Sequence, residues 1–196
     1  KGFDVLLPYA RAHFESEGKY IGMAWLDRFD ILRWADKVVE LYGRNVSIVL
    51  HGVSMGGATV VAASGMNPPP QVKCVIDDCG FASQYGEYTA CIENIRLPKR
   101  LVLLPLAIGV RLFQGYSIYD ANITELAEKS KLPTLFIHGT LDTFVPPEQG
   151  KELYEACASA DKNFVTFDNA KHAASYVSDP EKYKTVVGEF VDGIVK

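Results

Sequence analysis

Five short apolar runs, at residues 3–7, 46–50, 72–76, 134–137 and 164–167, alternate along the chain with longer stretches of helical periodicity. Their centres are continuously apolar, the pattern of strands covered on both faces. Strands and helices that alternate in this way bury their apolar sides as a mostly parallel sheet flanked by helices, so the fold class is α/β. Residues 26–42 set Leu32, Ala35, Val38, Val39 and Tyr42 against Arg28, Arg33, Asp36, Lys37 and Glu40, which predicts a helix closed by Gly43. Further helices are predicted over 55–63, 148–158 and 181–195, and Pro68-Pro69-Pro70 forces an extended link into the third run. Residues 83–130 are too long for one crossover and mix apolar pieces with Pro98, Pro105 and Gly115. They read as a helical cap inserted into a single domain over 1–196.

With 196 residues, 48% of them apolar, the chain can fill one substantial core. A net charge of −4 with interspersed signs offers no broad basic face for nucleic acid or an anionic membrane. Cys74, Cys79, Cys91 and Cys157 include no CxxC pair and no His at zinc-ligand spacing, so reduced thiols are expected, with no metal site or disulfide framework. The most apolar stretch, 101–113, is interrupted by Pro105 and Gly109 and falls short of the roughly 20 residues a membrane helix needs. No signal peptide is visible, and a cytoplasmic location is expected. The chain opens at Lys1-Gly2-Phe3, without an initiator Met.

The sharpest local signal is His51-Gly52-Val53-Ser54-Met55-Gly56-Gly57, which follows an apolar strand and opens an Ala-rich helix. This is GxSxG in the context that gives it meaning: a turn so tight that Gly52 and Gly56 are expected to be required, with the Ser54 hydroxyl left exposed at the carboxyl end of the sheet. The Met55 N–H, at the helix start, would face a developing oxyanion. A serine hydroxyl needs a base, and the base a carboxylate to orient it. Asp142, just past the strand at 134–137, and His172, in the loop after the last strand, supply both in the chain order Ser, Asp, His. Asp77, at the end of the strand at 72–76, is the reserve candidate for the acid. His13, His51 and His138 read as packing or loop-bracing residues.

The run HGVSMGG, a strand ending IDDCG, the segment LPTLFIHGTLDTFVP and a histidine in a short loop before the last helix together resemble bacterial α/β-hydrolase-fold proteins of the esterase-like and prolyl-peptidase-like group. The likeness runs over nearly the whole chain. It implies a triad of Ser54, Asp142 and His172, Met55 as one backbone oxyanion donor, and acyl transfer with no metal or organic cofactor. The cap at 83–130, with Tyr85, Tyr88, Leu101 to Leu104, Phe113 and Tyr116, is expected to cover the site and offer an apolar wall, which suits a small or medium acyl or aryl ester. Cleavage of short peptides, acyl transfer to an acceptor other than water, and a hydrolase-fold binding protein without turnover are the alternatives. Arg96, Lys99, Arg100 and Arg111 are the cap residues that could clamp a peptide terminus.

Two departures from the family pattern stand out. Tyr9 and Phe14 replace an Asp and a Gly, so that loop is expected to alter one wall of the pocket. Relatives also begin with three further strands, the third lying between the strands that correspond to 3–7 and 46–50 and followed by a loop with the second oxyanion N–H. Without it, those two strands share no ladder, and each buried polar group left unpaired costs about 1–3 kcal/mol. A segment ahead of Lys1, in the same polypeptide or as a separate chain, is therefore expected to complete the fold.

Overall fold

Residues 2–195 are described by a computed structural model, in which the first regular element is α1 (Asp27–Tyr42). It ends at Gly43, whose φ of 87° reverses the chain while its N–H donates to the Val39 carbonyl. Four units follow: β1 (Ile48–Val53) with α2 (Met55–Ser64), then β2 (Val72–Asp78). Next come α3 (Gln84–Asn94), α4 (Lys99–Gln114) and the short α5 (Thr124–Ala127). The chain closes with β3 (Thr134–Gly139), α6 (Pro147–Ala156), β4 (Lys162–Phe167), α7 (Ser175–Ser178) and α8 (Pro180–Ile194).

The strands form one parallel sheet in the order β1-β2-β3-β4. Successive side chains of the central strands go to opposite layers. Val75 and Phe136 join Ala58, Val61, Ile123 and Leu153 from α2, the α5 approach and α6 on one face. Cys74, Ile76, Leu135 and Ile137 meet Tyr183 and Val191 of α8 on the other. β3 is buried along its whole length, as continuous apolarity predicts. β1 and β4 depart from that expectation, with exposed positions at His51, Val53, Asn163 and Thr166, because each is an edge with a neighbour on one side only.

The run at 3–7 corrects the sequence reading. It forms no strand, and Phe3, Val5, Leu6 and Leu7 are exposed. β1 is the edge of the described sheet, and no strand stands beside 3–7 to take its N–H and C=O groups. The loop that follows is held to α1 by the Arg11 guanidinium, which donates twice to Asp30 at 2.7 Å. The Tyr9 and Phe14 rings pack against each other, tilted by 38° with 5.0 Å between centroids. Tyr9 lines an open groove of about 790 Å³ with Trp34 and Phe113, which shares no lining residue with Ser54, Asp142 or His172.

Between β2 and β3 the chain leaves the sheet. α3 and α4 build a separate apolar cluster from Ile92, Leu103, Val110, Tyr116 and Ile118. Residues 123–127 then return to the main core, where Ile123 and Ala127 are fully buried.

Candidate active site

One residue separates β1 from α2. Ser54 makes that turn with φ 56° and ψ −120°, a backbone conformation that costs a non-glycine residue about 1–3 kcal/mol. Its N–H donates to the Asp78 carbonyl at 2.8 Å and its own carbonyl accepts from Ala58, so the strained residue is tied to β2 and to the helix at once. Gly52 is required: a Cβ there would collide with the Gly56 carbonyl. Gly56 is not, which corrects the expectation. A Cβ at Gly56 would meet nothing within 4 Å, because the close approach runs through its carbonyl and not along its Cα–Cβ direction. Gly57 has that restriction instead, facing the Asp77 carboxylate. Met55, the first residue of α2, has an N–H outside the intrahelical ladder.

Asp142 and His172 reach Ser54 from the carboxyl ends of β3 and β4, the edge where parallel sheets collect their ligands. The His172 ring lies between the other two side chains, with Nε2 2.8 Å from Ser54 Oγ and Nδ1 2.8 Å from Asp142 Oδ2. With a carboxylate at Nδ1, that nitrogen has the proton and Nε2 presents its lone pair to the hydroxyl. The two loops are knit to each other: Leu141 N–H donates to the Ala170 carbonyl and Asn169 N–H to Thr140 Oγ1. Asn169 and Ala173 take left-handed backbone conformations on either side of His172, with φ of 59° and 54°.

Asp142 is buried, and burial alone would favour its neutral form. Hydrogen bonds win: His138 and His172 face Oδ2, and the Phe144 and Val145 N–H groups donate to Oδ1 at 2.9 Å, so the carboxyl is held well below its usual range. His138 braces this arrangement. Nε2 lies 3.0 Å from the Val145 carbonyl and 3.6 Å from Asp142, and Gly150 leaves room for the ring. Burial works to lower the His138 pKa, but the bonds to Asp142 and Val145 raise it.

Asp77, the reserve candidate, is not brought to His172. Its Oδ1 accepts from the Gly80 N–H at 2.8 Å, and burial pushes its carboxyl up to about 7. His13 and His51 brace loops and helices, as expected: His13 bonds the Arg11 carbonyl at 2.9 Å and His51 the Tyr183 hydroxyl at 3.0 Å. Two residues near the site escaped the sequence reading. The Phe144 ring lies 4.8 Å from the His172 ring, and Ser175 Oγ donates to Asp78 Oδ1 at 3.1 Å, tying the loop after His172 to the end of β2, whose Asp78 carbonyl accepts from the Ser54 N–H.

Among the described residues, Cys79, Asp142 and His172 offer donor atoms within 4.8 Å of one another. The trio does not suit a resident cation. Asp142 and His172 are bonded to each other, the remaining His172 nitrogen faces Ser54, and burial raises the Cys79 thiol far above its ordinary range.

Comparison with known proteins bears on the fold. A family model described as serine aminopeptidase, S33, matches residues 106–177, a stretch that includes Asp142 and His172. The uncharacterised protein YqkD of Bacillus subtilis is 29% identical over 201 residues, covering 98% of the chain. The chain spans 63% of that relative's length. Protein bem46 of Schizosaccharomyces pombe is 27% identical, over 74% of the chain and 43% of its own length. Among solved structures, Pyrococcus furiosus esterase Pf2001 superposes with a TM-score of 0.74 at 22% identity, over 95% of the chain and 69% of its own. Pyrococcus horikoshii acylaminoacyl peptidase gives 0.62 at 18% identity, over 87% and 28%. The chain has the α/β-hydrolase fold, and its likeness is to the esterase- and peptidase-like proteins built on it.

Proposed function

We propose that the chain is the triad-bearing part of a serine hydrolase that cleaves carboxylic esters of small or medium acyl or aryl groups. The observation that supports it is the His172 ring, 2.8 Å from Ser54 on one side and 2.8 Å from Asp142 on the other. Ser54 Oγ attacks the ester carbonyl carbon as its proton passes to His172 Nε2. The Met55 N–H donates to the oxyanion that forms. Collapse breaks the bond to the alcohol oxygen, which takes the proton from His172 and leaves. Water then attacks the acyl-enzyme, gives its proton to His172, and releases the acid as Ser54 recovers its hydrogen. Asp142 holds the imidazole in the tautomer this cycle needs. Phe144 shields one side of the ring, and α3 and α4 act as the cap.

Cleavage of short peptides is the second reading, favoured by the peptidase description of the matched family. A fluorophosphonate probe on the protein at its natural length is expected to label wild type and not Ser54→Ala. Esters of p-nitrophenol with increasing chain length, run beside aminoacyl anilides, then separate the two readings. His172→Ala is expected to lower kcat by a factor on the order of 10⁴ to 10⁶. Absence of labelling sinks the hydrolase assignment, and turnover of anilides without esters replaces esterase by peptidase.

A further inference from the structure

α4 is apolar around most of its circumference, yet half of it faces solvent. Leu103 and Val110 are buried in the cluster with Ile92 and Tyr116. On the opposite side, Leu101, Leu104, Ile108 and Leu112 are 72%, 61%, 51% and 73% exposed. Their spacing of three and four residues places them in one row along the helix. Arg100 and Arg111, both exposed, lie on one shoulder of the row, about a quarter turn from its centre.

The charge along the segment that contains this row is of one sign, although Glu17 and Asp30 line the groove at the Phe113 end of the helix. Residues 95–119 contain Arg96, Lys99, Arg100 and Arg111 and no Asp or Glu, in a chain whose net charge is −4. Lys99 is ion-paired to Glu93, just outside that stretch. At physiological salt a surface potential acts only over about 8–10 Å, so the local charge counts and the whole-chain charge does not. We infer that this face of α4 docks on an anionic lipid surface, the leucine and isoleucine row entering the acyl boundary while Arg100 and Arg111 meet lipid phosphates. With 16 residues, α4 is too short to cross a bilayer and suits a position in its plane. A second copy of the chain packed antiparallel through this row fits less well, because the two-fold would set Arg100 of one copy against Arg111 of the other. The inference does not rest on the hydrolase reading.

The test is co-sedimentation of the natural-length protein, as Ser54→Ala, with vesicles of phosphatidylcholine alone or mixed with phosphatidylglycerol. Binding is expected to be strong with the anionic mixture, weak with phosphatidylcholine alone, and reduced by salt. Leu104→Ser and Ile108→Ser, at exposed positions, are expected to weaken it by about tenfold each. Arg100→Gln and Arg111→Gln are expected to weaken it by about fivefold each, on anionic vesicles only. Hydrogen exchange over 99–114 is expected to slow when anionic vesicles are added. Unchanged exchange in α4 would overturn the inference. So would unaltered binding by the variants, or a concentration-dependent dimer lost in the same variants without any partition onto vesicles.

Discussion

A methyl group added at Gly52 would strike the Gly56 carbonyl, whereas one added at Gly56 would enter open space. Gly56→Ala is therefore expected to keep fluorophosphonate labelling and to raise stability by up to about 1 kcal/mol, since alanine is the better helix former in α2. Gly52→Ala must move either the strand or the helix. It is expected to cost about 1–3 kcal/mol in urea denaturation and to lose labelling, because Ser54 Oγ would leave its 2.8 Å contact with His172. Equal effects from the two variants would mean that the turn is not built this way. The pair also marks what a motif can convey. GxSxG states a spacing, but the direction of a Cα–Cβ bond depends on where the backbone goes next. Ser54, Asp142 and His172 were legible because each has a local signature: the glycine-flanked serine, the carboxylate just past a strand, the histidine before the last helix. Ser175 was not, because its bond to Asp78 joins residues 97 apart and depends on how α7 settles against the sheet.

At the scale of elements, α3 is hydrogen-bonded both to the Asp142 loop and to α6 behind it. Asn94 donates to the Thr143 carbonyl at 2.5 Å from the end of α3. At its first turn, the buried Glu87 accepts from Gln149 Nε2 at 3.0 Å, while Gln149 Oε1 accepts from the Ala82 N–H. One α6 side chain thus satisfies a carboxylate and a backbone amide together. Gln149→Ala leaves both short of a partner and is expected to cost about 1–3 kcal/mol. The pH dependence has a definite sign. Burial raises the Glu87 pKa, opposed by the bonds from Cys91 and Gln149, so the folded state holds this proton more firmly than the unfolded state. That contribution is full below about 4.3, the unfolded value, and is lost as pH rises through the folded one. Removing Gln149 takes away a donor to the charged form and raises the folded value further. The loss should therefore be smaller near pH 4, where the Ala82 amide's share remains, and largest at neutral pH, read from urea midpoints across that range. A loss independent of pH would show that Glu87 keeps its proton throughout. None of this was visible in the sequence, where 83–130 stood out only by its length and its prolines.

At the scale of the whole molecule, the β1 edge and residues 3–7 are two of the surfaces left without partners among the described residues. β1 is an edge strand, so every second residue along it turns N–H and C=O groups away from β2. Residues 3–7 have the composition of a buried strand, yet Phe3, Val5, Leu6 and Leu7 are 53%, 77%, 52% and 84% exposed. An unpaired strand edge and an exposed apolar run are each hazards that folded proteins rarely leave open. The two cannot simply join if one more strand belongs between them, as the resemblance to longer hydrolases implies. We therefore propose that, in the protein at its natural length, a further strand pairs with β1 and residues 3–7 pair with that strand in turn. Hydrogen exchange on that protein is the direct measurement. The amides of 3–7, and those of β1 that point away from β2, should then exchange as slowly as those of the fully buried β3, which open only with the whole domain. If they exchange at the rate of an open loop, the sheet ends at β1. The reading of 3–7 as a strand then fails outright, not merely for want of a neighbour.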